Sequence, residues 1–196
     1  TAEHRAKHLL LLRSMQRETK GFTEFVPLSF VHEESPLFAK AEVKGVHPGP
    51  TGNDVIKLYA IARLVLGRDI PNLQASWVKE GLRTSQFLLA CGVNDLGGTL
   101  MNESISTSAG AQHGQLTRPS TLRGVIRDAG RQPVERTTLY QPLRAFTMNE
   151  ADDPAELLDG VPDPNAVFGS YQDLVRDTRF RYEPRNAGRR LDVIDA

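Results

Sequence analysis

Cysteine is nearly missing: Cys91 stands alone among 196 residues, which excludes a disulfide framework and any all-thiolate metal site within the chain. A dominant charge sign is missing too, with 24 basic and 24 acidic residues and a formal net charge of +0. Without a polybasic run, neither a nucleic acid nor an anionic membrane is supported as a partner. No apolar run approaches the roughly 18 residues that a membrane span requires. A soluble protein in a reduced interior is the default. The familiar catalytic motifs are equally absent. GxSxG, the Walker loop and GxGxxG do not occur, so nucleophile-elbow and ordinary nucleotide-binding readings have no basis. His32-Glu33-Glu34 begins like a zincin helix, but Pro36 stands where HExxH needs its second histidine.

What is present is 39% hydrophobic, enough for one domain with a true core. Residues 2–19 predict a helix, with Ala2, Ala6, Leu9, Leu10 and Met15 near a 3.6-residue period and Gly21 as its stop. Residues 22–30 alternate as a strand, demoted or bulged at Pro27. A long connection follows, with His47 in a rigid HPGP turn at 47–50. Thr51 caps a helix over 52–66 whose dipole favours Asp54. A strand over 73–78, a helix over 79–90, a short strand over 93–96, a helix over about 119–129 and a strand over 133–140 complete the order. Helix and strand alternate, the pattern of parallel βαβ units, and four strands cannot close an eight-stranded barrel. Residues 148–165 are acidic and proline-rich and read as a surface linker, with a short helix near 170–176. The expected division is 1–146 and 147–196.

The functional centre falls at 91–114, CGVNDLGGTLMNESISTSAGAQHG. A strand running into Gly97-Gly98 lets backbone approach a ligand. The long polar loop beyond it, with Asn102, Glu103, Ser104, Ser106, Ser108, Gln112 and His113, is longer than packing alone requires. Ligands of parallel α/β folds bind at the carboxyl ends of strands. That position selects Ser29, Phe30 and His32, then Ser76 and Trp77 with Gln74, then Asn94, Asp95 and the loop to His113. Gln74 and Asn94 are placed to hydrogen-bond a heterocycle or an amino acid. Each has a plainer alternative. Asn94-Asp95 would otherwise tie strands together, Trp77 would be core, and His113 would be merely solvated. Glu103 is an acid, a base, a ligand contact or an ordinary loop glutamate.

The run GVNDLGGTLMNESISTSAGAQHGQ at 92–115 resembles the C-terminal half of radical S-adenosylmethionine enzymes that make deazaflavin: the CofH subunit, or CofH-like half, of FO synthase. FVPLSFVHEESPLF (25–38), HPGPTGND (47–54), ARLVLGRDIPNLQASWVKEG (62–81) and TTLYQPL (137–143) extend the resemblance over about residues 1–145. It implies an α/β fold, the second half of a (β/α) TIM-like barrel with parallel strands and an irregular C-terminal tail. It also implies S-adenosyl-L-methionine and a 4Fe-4S cluster on a CxxxCxxC loop. The implied reaction uses a 5′-deoxyadenosyl radical to move a 4-hydroxybenzyl fragment from L-tyrosine to 5-amino-6-(D-ribitylamino)uracil. A CofG-like half, fused or separate, is the implied partner. CxxxCxxC is absent, so the cluster ligands lie outside this chain. It is expected to be a piece of a longer enzyme and inactive alone. Under the resemblance Asn94, Asp95, Thr99 and Glu103 line the substrate or S-adenosylmethionine pocket, with Gln74, Ser76, Trp77 and His113. Asp95 and Glu103 are the catalytic candidates, and no residue is assigned to a metal. The alternatives are a futalosine-pathway enzyme of menaquinone synthesis and a non-catalytic truncated binding module.

Overall fold

Thr1 accepts the His4 N–H at 3.2 Å and opens helix α1 (Ala2–Thr19) over the whole span its apolar period predicts. The helix ends at Thr19, as expected, two residues before Gly21. Lys20 adopts the left-handed conformation at φ 55° and returns its N–H to Gln16 O, closing the last turn. The computed structural model describes residues 1–41, 43–101 and 103–163, together with 166–167, 169, 173 and 176–180. Asn102, and most of the helix expected near 170–176, lie outside the described residues.

Buried Gln16 ties α1 to two other segments. Its Nε2 donates to Phe22 O at 3.0 Å and to Asp69 O at 3.1 Å, and its Oε1 accepts from Phe22 N at 2.8 Å. After a short helix α2 (Pro36–Ala39) comes α3 (Gly52–Leu66), opened by the expected Thr51 cap, which the Asp54 side chain completes as a capping box. One end of α3 packs Ala62 and Leu66 against Leu9, Ile70 and Leu73; the other packs Val55 and Tyr59 against Ala75, Leu88 and Leu96. A single helix therefore serves both halves of the core, because its apolar stripe continues through four turns.

The strands are shorter than the sequence predicts, and one has a different partner. Residues 22–30 form no continuous strand. Phe25 makes one parallel bridge to Leu73, and Pro27, lacking an N–H, stops the ladder two residues later. The strand over 73–78 contracts to β1 (Gln74–Ala75), since Ser76 already caps a turn of helix, α4 (Trp77–Glu80). The helix over 79–90 starts instead as α5 (Leu82–Leu88), after Gly81 at φ 76° and ψ 158°, a conformation essentially reserved for glycine. β2 (Asp95–Leu96) pairs in parallel with β1, Gln74 opposite Asp95 and Ala75 opposite Leu96.

After a short helix α6 (Ile105–Ser108), α7 (Pro119–Asp128) packs Leu122, Val125 and Ile126 on the core. The strand over 133–140 is not parallel. It is β3 (Val134–Arg136), paired antiparallel with an unforeseen β4 (Pro142–Ala145). The 137–141 turn accounts for this: a parallel partner needs a crossover of about a dozen residues, and this chain reverses within five, with Tyr140 at φ 62°. The result is a mixed α/β fold with parallel pairing at its centre.

Residues 149–161, expected as linker, return to α7. Asp153 accepts from Arg123 Nε at 2.7 Å and from Arg127 at 2.9 and 2.5 Å, Asp159 accepts from Ser120 N and Oγ, and Val161 O accepts from Arg118. Among the described residues no helix is long and apolar enough to cross a membrane.

Candidate functional site

In a two-residue parallel ladder the side chains alternate by face. Ala75 and Leu96 turn into the apolar core, and their neighbours Gln74 and Asp95 turn to the opposite side. There Asp95 becomes the hub of a polar cluster. Its carboxylate accepts from Arg136 Nε at 2.7 Å and Nη2 at 2.6 Å, from Gln74 Nε2 at 2.7 Å and from Tyr140 Oη at 3.1 Å. Glu24, which alternates with core-facing Phe25, enters from the third parallel segment. It accepts from Gln74 Nε2 at 3.0 Å and takes a short hydrogen bond from the Tyr140 hydroxyl.

The electrostatics follow from this geometry. The paired hydrogen bonds to Asp95 raise the Arg136 pKa further, so its charge is permanent. The guanidinium stacks 3.8 Å from the centre of the Tyr140 ring, where it gains from the ring quadrupole. Burial, and next the bond to Glu24, push the Tyr140 phenol well above its ordinary value, so it remains a donor. One guanidinium faces two carboxylates, which leaves the cluster acceptor-rich. Glu24 Oε1 accepts no hydrogen bond among the described residues.

An open groove of about 1260 Å³ passes over this cluster, lined by Glu24, Asp95 and Arg136 and by the Gly97-Gly98-Thr99 turn. Trp77 supports that turn from below: the fully buried indole donates Nε1–H to Gly98 O at 2.9 Å. Such a groove can hold a planar, donor-rich molecule against a floor of carboxylate oxygens, with glycine backbone admitting it closely.

The expected site residues separate into groups. Asp95, Gln74 and Thr99 come together at the groove. Asn94 lines its edge, but Asn94 Oδ1 accepts from Leu73 N at 2.8 Å and Arg63 Nη2 at 2.6 Å, which ties strands together. Trp77 is core, and Ser76 caps α4 without a side-chain bond. Glu103 does not join the cluster. Its carboxylate accepts the Ser106 N–H at 3.0 and 3.1 Å and so caps α6. His113 lies apart, its ring over Gly81 in a second cavity.

Sequence reasoning missed Glu24, Arg136 and Tyr140. Glu24 carried a signal, its alternation with the apolar Phe25. Arg136 and Tyr140 carried none, because a hairpin brings them over Asp95 from 41 and 45 residues away. Among the described residues no group of three or more His, Cys, Asp or Glu could hold a metal. Cys91 packs against the core beside Val93.

A family model described as the CofH/MqnC C-terminal region matches residues 19–149. The chain is 49% identical over 139 residues to the 5-amino-6-(D-ribitylamino)uracil–L-tyrosine 4-hydroxyphenyl transferase of Methanopyrus kandleri, covering 71% of this chain and 37% of that one. It is 49% identical over 149 residues to transferase 1 of the same description from Methanosarcina acetivorans, covering 76% and 40%. It is 50% identical over 144 residues to that of Methanosarcina barkeri, covering 74% and 38%. The chain thus spans 37 to 40% of the length of these three curated relatives.

Proposed function

This chain belongs to the CofH/MqnC C-terminal family, and from that premise we propose that it is the substrate-holding C-terminal part of a 5-amino-6-(D-ribitylamino)uracil–L-tyrosine 4-hydroxyphenyl transferase. One observation carries the reading: the acceptor-rich floor of Glu24 and Asp95, braced by Arg136 and Tyr140 beneath the Gly97-Gly98 turn. An aminouracil presents several N–H donors on one flat edge, and carboxylate oxygens suit it better than neutral acceptors. The relatives' names favour this branch over the futalosine one.

In this reading residues 1–146 supply half of a (β/α) barrel and 147–196 an extension, a division that the family match over 19–149 supports. The CofH family is one of radical S-adenosylmethionine enzymes, whose 4Fe-4S cluster needs three thiolates. The donor set here does not fit it, since Cys91 is the single cysteine and packs against the core. The proposed work of this chain is therefore to bind and orient. Oε1 of Glu24 takes a donor of the heterocycle, and Asp95, whose oxygens are filled by Arg136, Gln74 and Tyr140, fixes the floor on which the ring is oriented.

The test is a chimera in which this chain replaces the C-terminal region of the first-named relative. It is assayed anaerobically with L-tyrosine, 5-amino-6-(D-ribitylamino)uracil and S-adenosylmethionine. Condensation product is expected, with turnover lowered in Asp95→Asn while cluster absorbance stays unchanged. A folded, cluster-loaded chimera that consumes neither substrate would overturn the reading.

A further inference from the structure

The family match ends at residue 149, and from there the chain returns across the outer side of α7. It comes back with almost nothing buried. Of residues 149–160 only Asp153, Glu156, Leu158 and Asp159 are even half-buried, and neither of the two short 3₁₀ turns (Glu150–Asp152 and Leu157–Gly160) contains a buried residue. Leu157 is 96% exposed, whereas its neighbour Leu158 lines the groove, as does Glu156.

What seats this segment is polar. Asp153 lies on Arg123 and Arg127, whose side chains are themselves nearly buried. Glu156 stands 3.7 Å from Arg123 Nη1 and 3.7 Å from Arg144 Nη1. Asp159 accepts the Ser120 N–H at 2.9 Å and the Ser120 hydroxyl at 2.7 Å, with Arg123 Nη2 at 3.6 Å. At the far end Arg118 Nη2 donates to Val161 O at 2.8 Å. A segment tied by ion pairs and hydrogen bonds, with little apolar contact, opens at a lower cost than a packed core element. The core does not depend on it: Leu122, Val125 and Ile126 pack on the other side of α7, against the cluster around Tyr59 and Leu88.

We infer that residues 149–161 are a latched strap. Seated by Asp153 and Asp159, the strap walls the α7 end of the groove with Glu156 and Leu158, and it lifts from α7 as one unit while the core beneath stays folded. Seated, it gives that end of the groove an acid and a leucine. Lifted, it widens the groove and uncovers Arg123, which lies 4.9 Å from the centre of the Phe146 ring. The strap therefore sets both the width and the charge of the groove at that end, whichever molecule the groove takes, and the inference stands apart from the transferase reading.

Hydrogen exchange of the full chain, followed amide by amide by NMR, tests this. The Ser120 N–H lies in the first turn of α7, where a helix offers its amides no partner, so its protection reports the Asp159 contact. Once intrinsic rates are removed, it is expected to exchange at least about tenfold faster than the Tyr59 and Leu66 amides of α3. Asp153→Asn removes the charge that pairs both arginines and should speed Ser120 by a further factor of about ten or more, leaving Tyr59 and Leu66 as they were. Thiol alkylation locates the wall. In a Cys91→Ala background, Leu158→Cys should react with iodoacetamide several-fold more slowly than Leu157→Cys, and Asp153→Asn should narrow that gap. One common exchange rate for Ser120, Tyr59 and Leu66, or a Ser120 rate that Asp153→Asn leaves unchanged or moves only together with those of α3, would overturn the inference. So would an alkylation gap that is absent, or that Asp153→Asn leaves untouched.

Discussion

Replacing Asp95 and Arg136 by alanine, singly and together, measures how firmly the site is held. Asp95 is 12% exposed and its partner Arg136 23%, so each single change leaves a largely desolvated charge behind. Breaking a fully buried pair costs about 3–5 kcal/mol. Here Glu24, at 4.0 Å from Arg136 Nη2, and the residual exposure both soften the loss, so Asp95→Ala should cost about 2–3 kcal/mol, toward or below the low end of that range. Arg136→Ala leaves Asp95 the donors Gln74 and Tyr140 and should cost a similar amount. The double mutant removes both charges, so the two losses should fall short of additive by about 1–2 kcal/mol. The readout is urea unfolding followed by fluorescence of Trp77, the single tryptophan, which is fully buried. With a slope of about 2 kcal/mol per molar for a chain of this size, each single mutant should lower the midpoint by roughly 1–1.5 M. Additivity within about 0.3 kcal/mol would refute the reasoning, because an uncoupled pair is only a solvated surface contact.

Acid should loosen the α7 clamp only below about pH 4. Hydrogen bonding to Arg127, and after it Arg123, holds the Asp153 carboxyl down at about 2, against about 3.9 for an unfolded chain. A lowered folded value contributes stability that is full above the unfolded value and lost as pH falls through the folded one. The urea-midpoint gap between wild type and Asp153→Asn should therefore hold above about pH 4 and close between about pH 4 and 2; a gap independent of pH would count against the clamp. Gly81→Ala, which forces φ 76° on an alanine and drives its Cβ into His113, should destabilise the chain by about 1–3 kcal/mol. Wild-type stability in that variant would show that the second cavity is not locked.

The long helices were legible because their signals are local. α1 and α3 show a sustained 3.6-residue period, and Thr51 with Asp54 three residues on spells a capping box in the sequence itself. Asp95 was legible for a similar reason, as an acid interrupting an apolar strand. Its partners were not, since no local pattern announces that Arg136 and Tyr140 will fold back over it. Asn94 and Glu103 looked equally suited to a ligand, but their oxygens are taken by neighbouring backbone N–H groups, Leu73 for one and Ser106 for the other. Short polar side chains beside free backbone donors satisfy these first. The antiparallel hairpin escaped because its determinant is a turn with Tyr140 at positive φ, a conformation that tyrosine does not advertise.

The clamp on α7 also bears on timing. Arg123 and Arg127 are 7% and 8% exposed, and their common counter-charge, Asp153, follows them by 30 and 26 residues. A ribosome delivers α7 before that counter-charge exists. Until then water solvates both guanidiniums, while Leu122, Val125 and Ile126 on the other side are free to pack on the core. The outer side of α7 is thus covered last, from the C-terminal side, by residues 149–161.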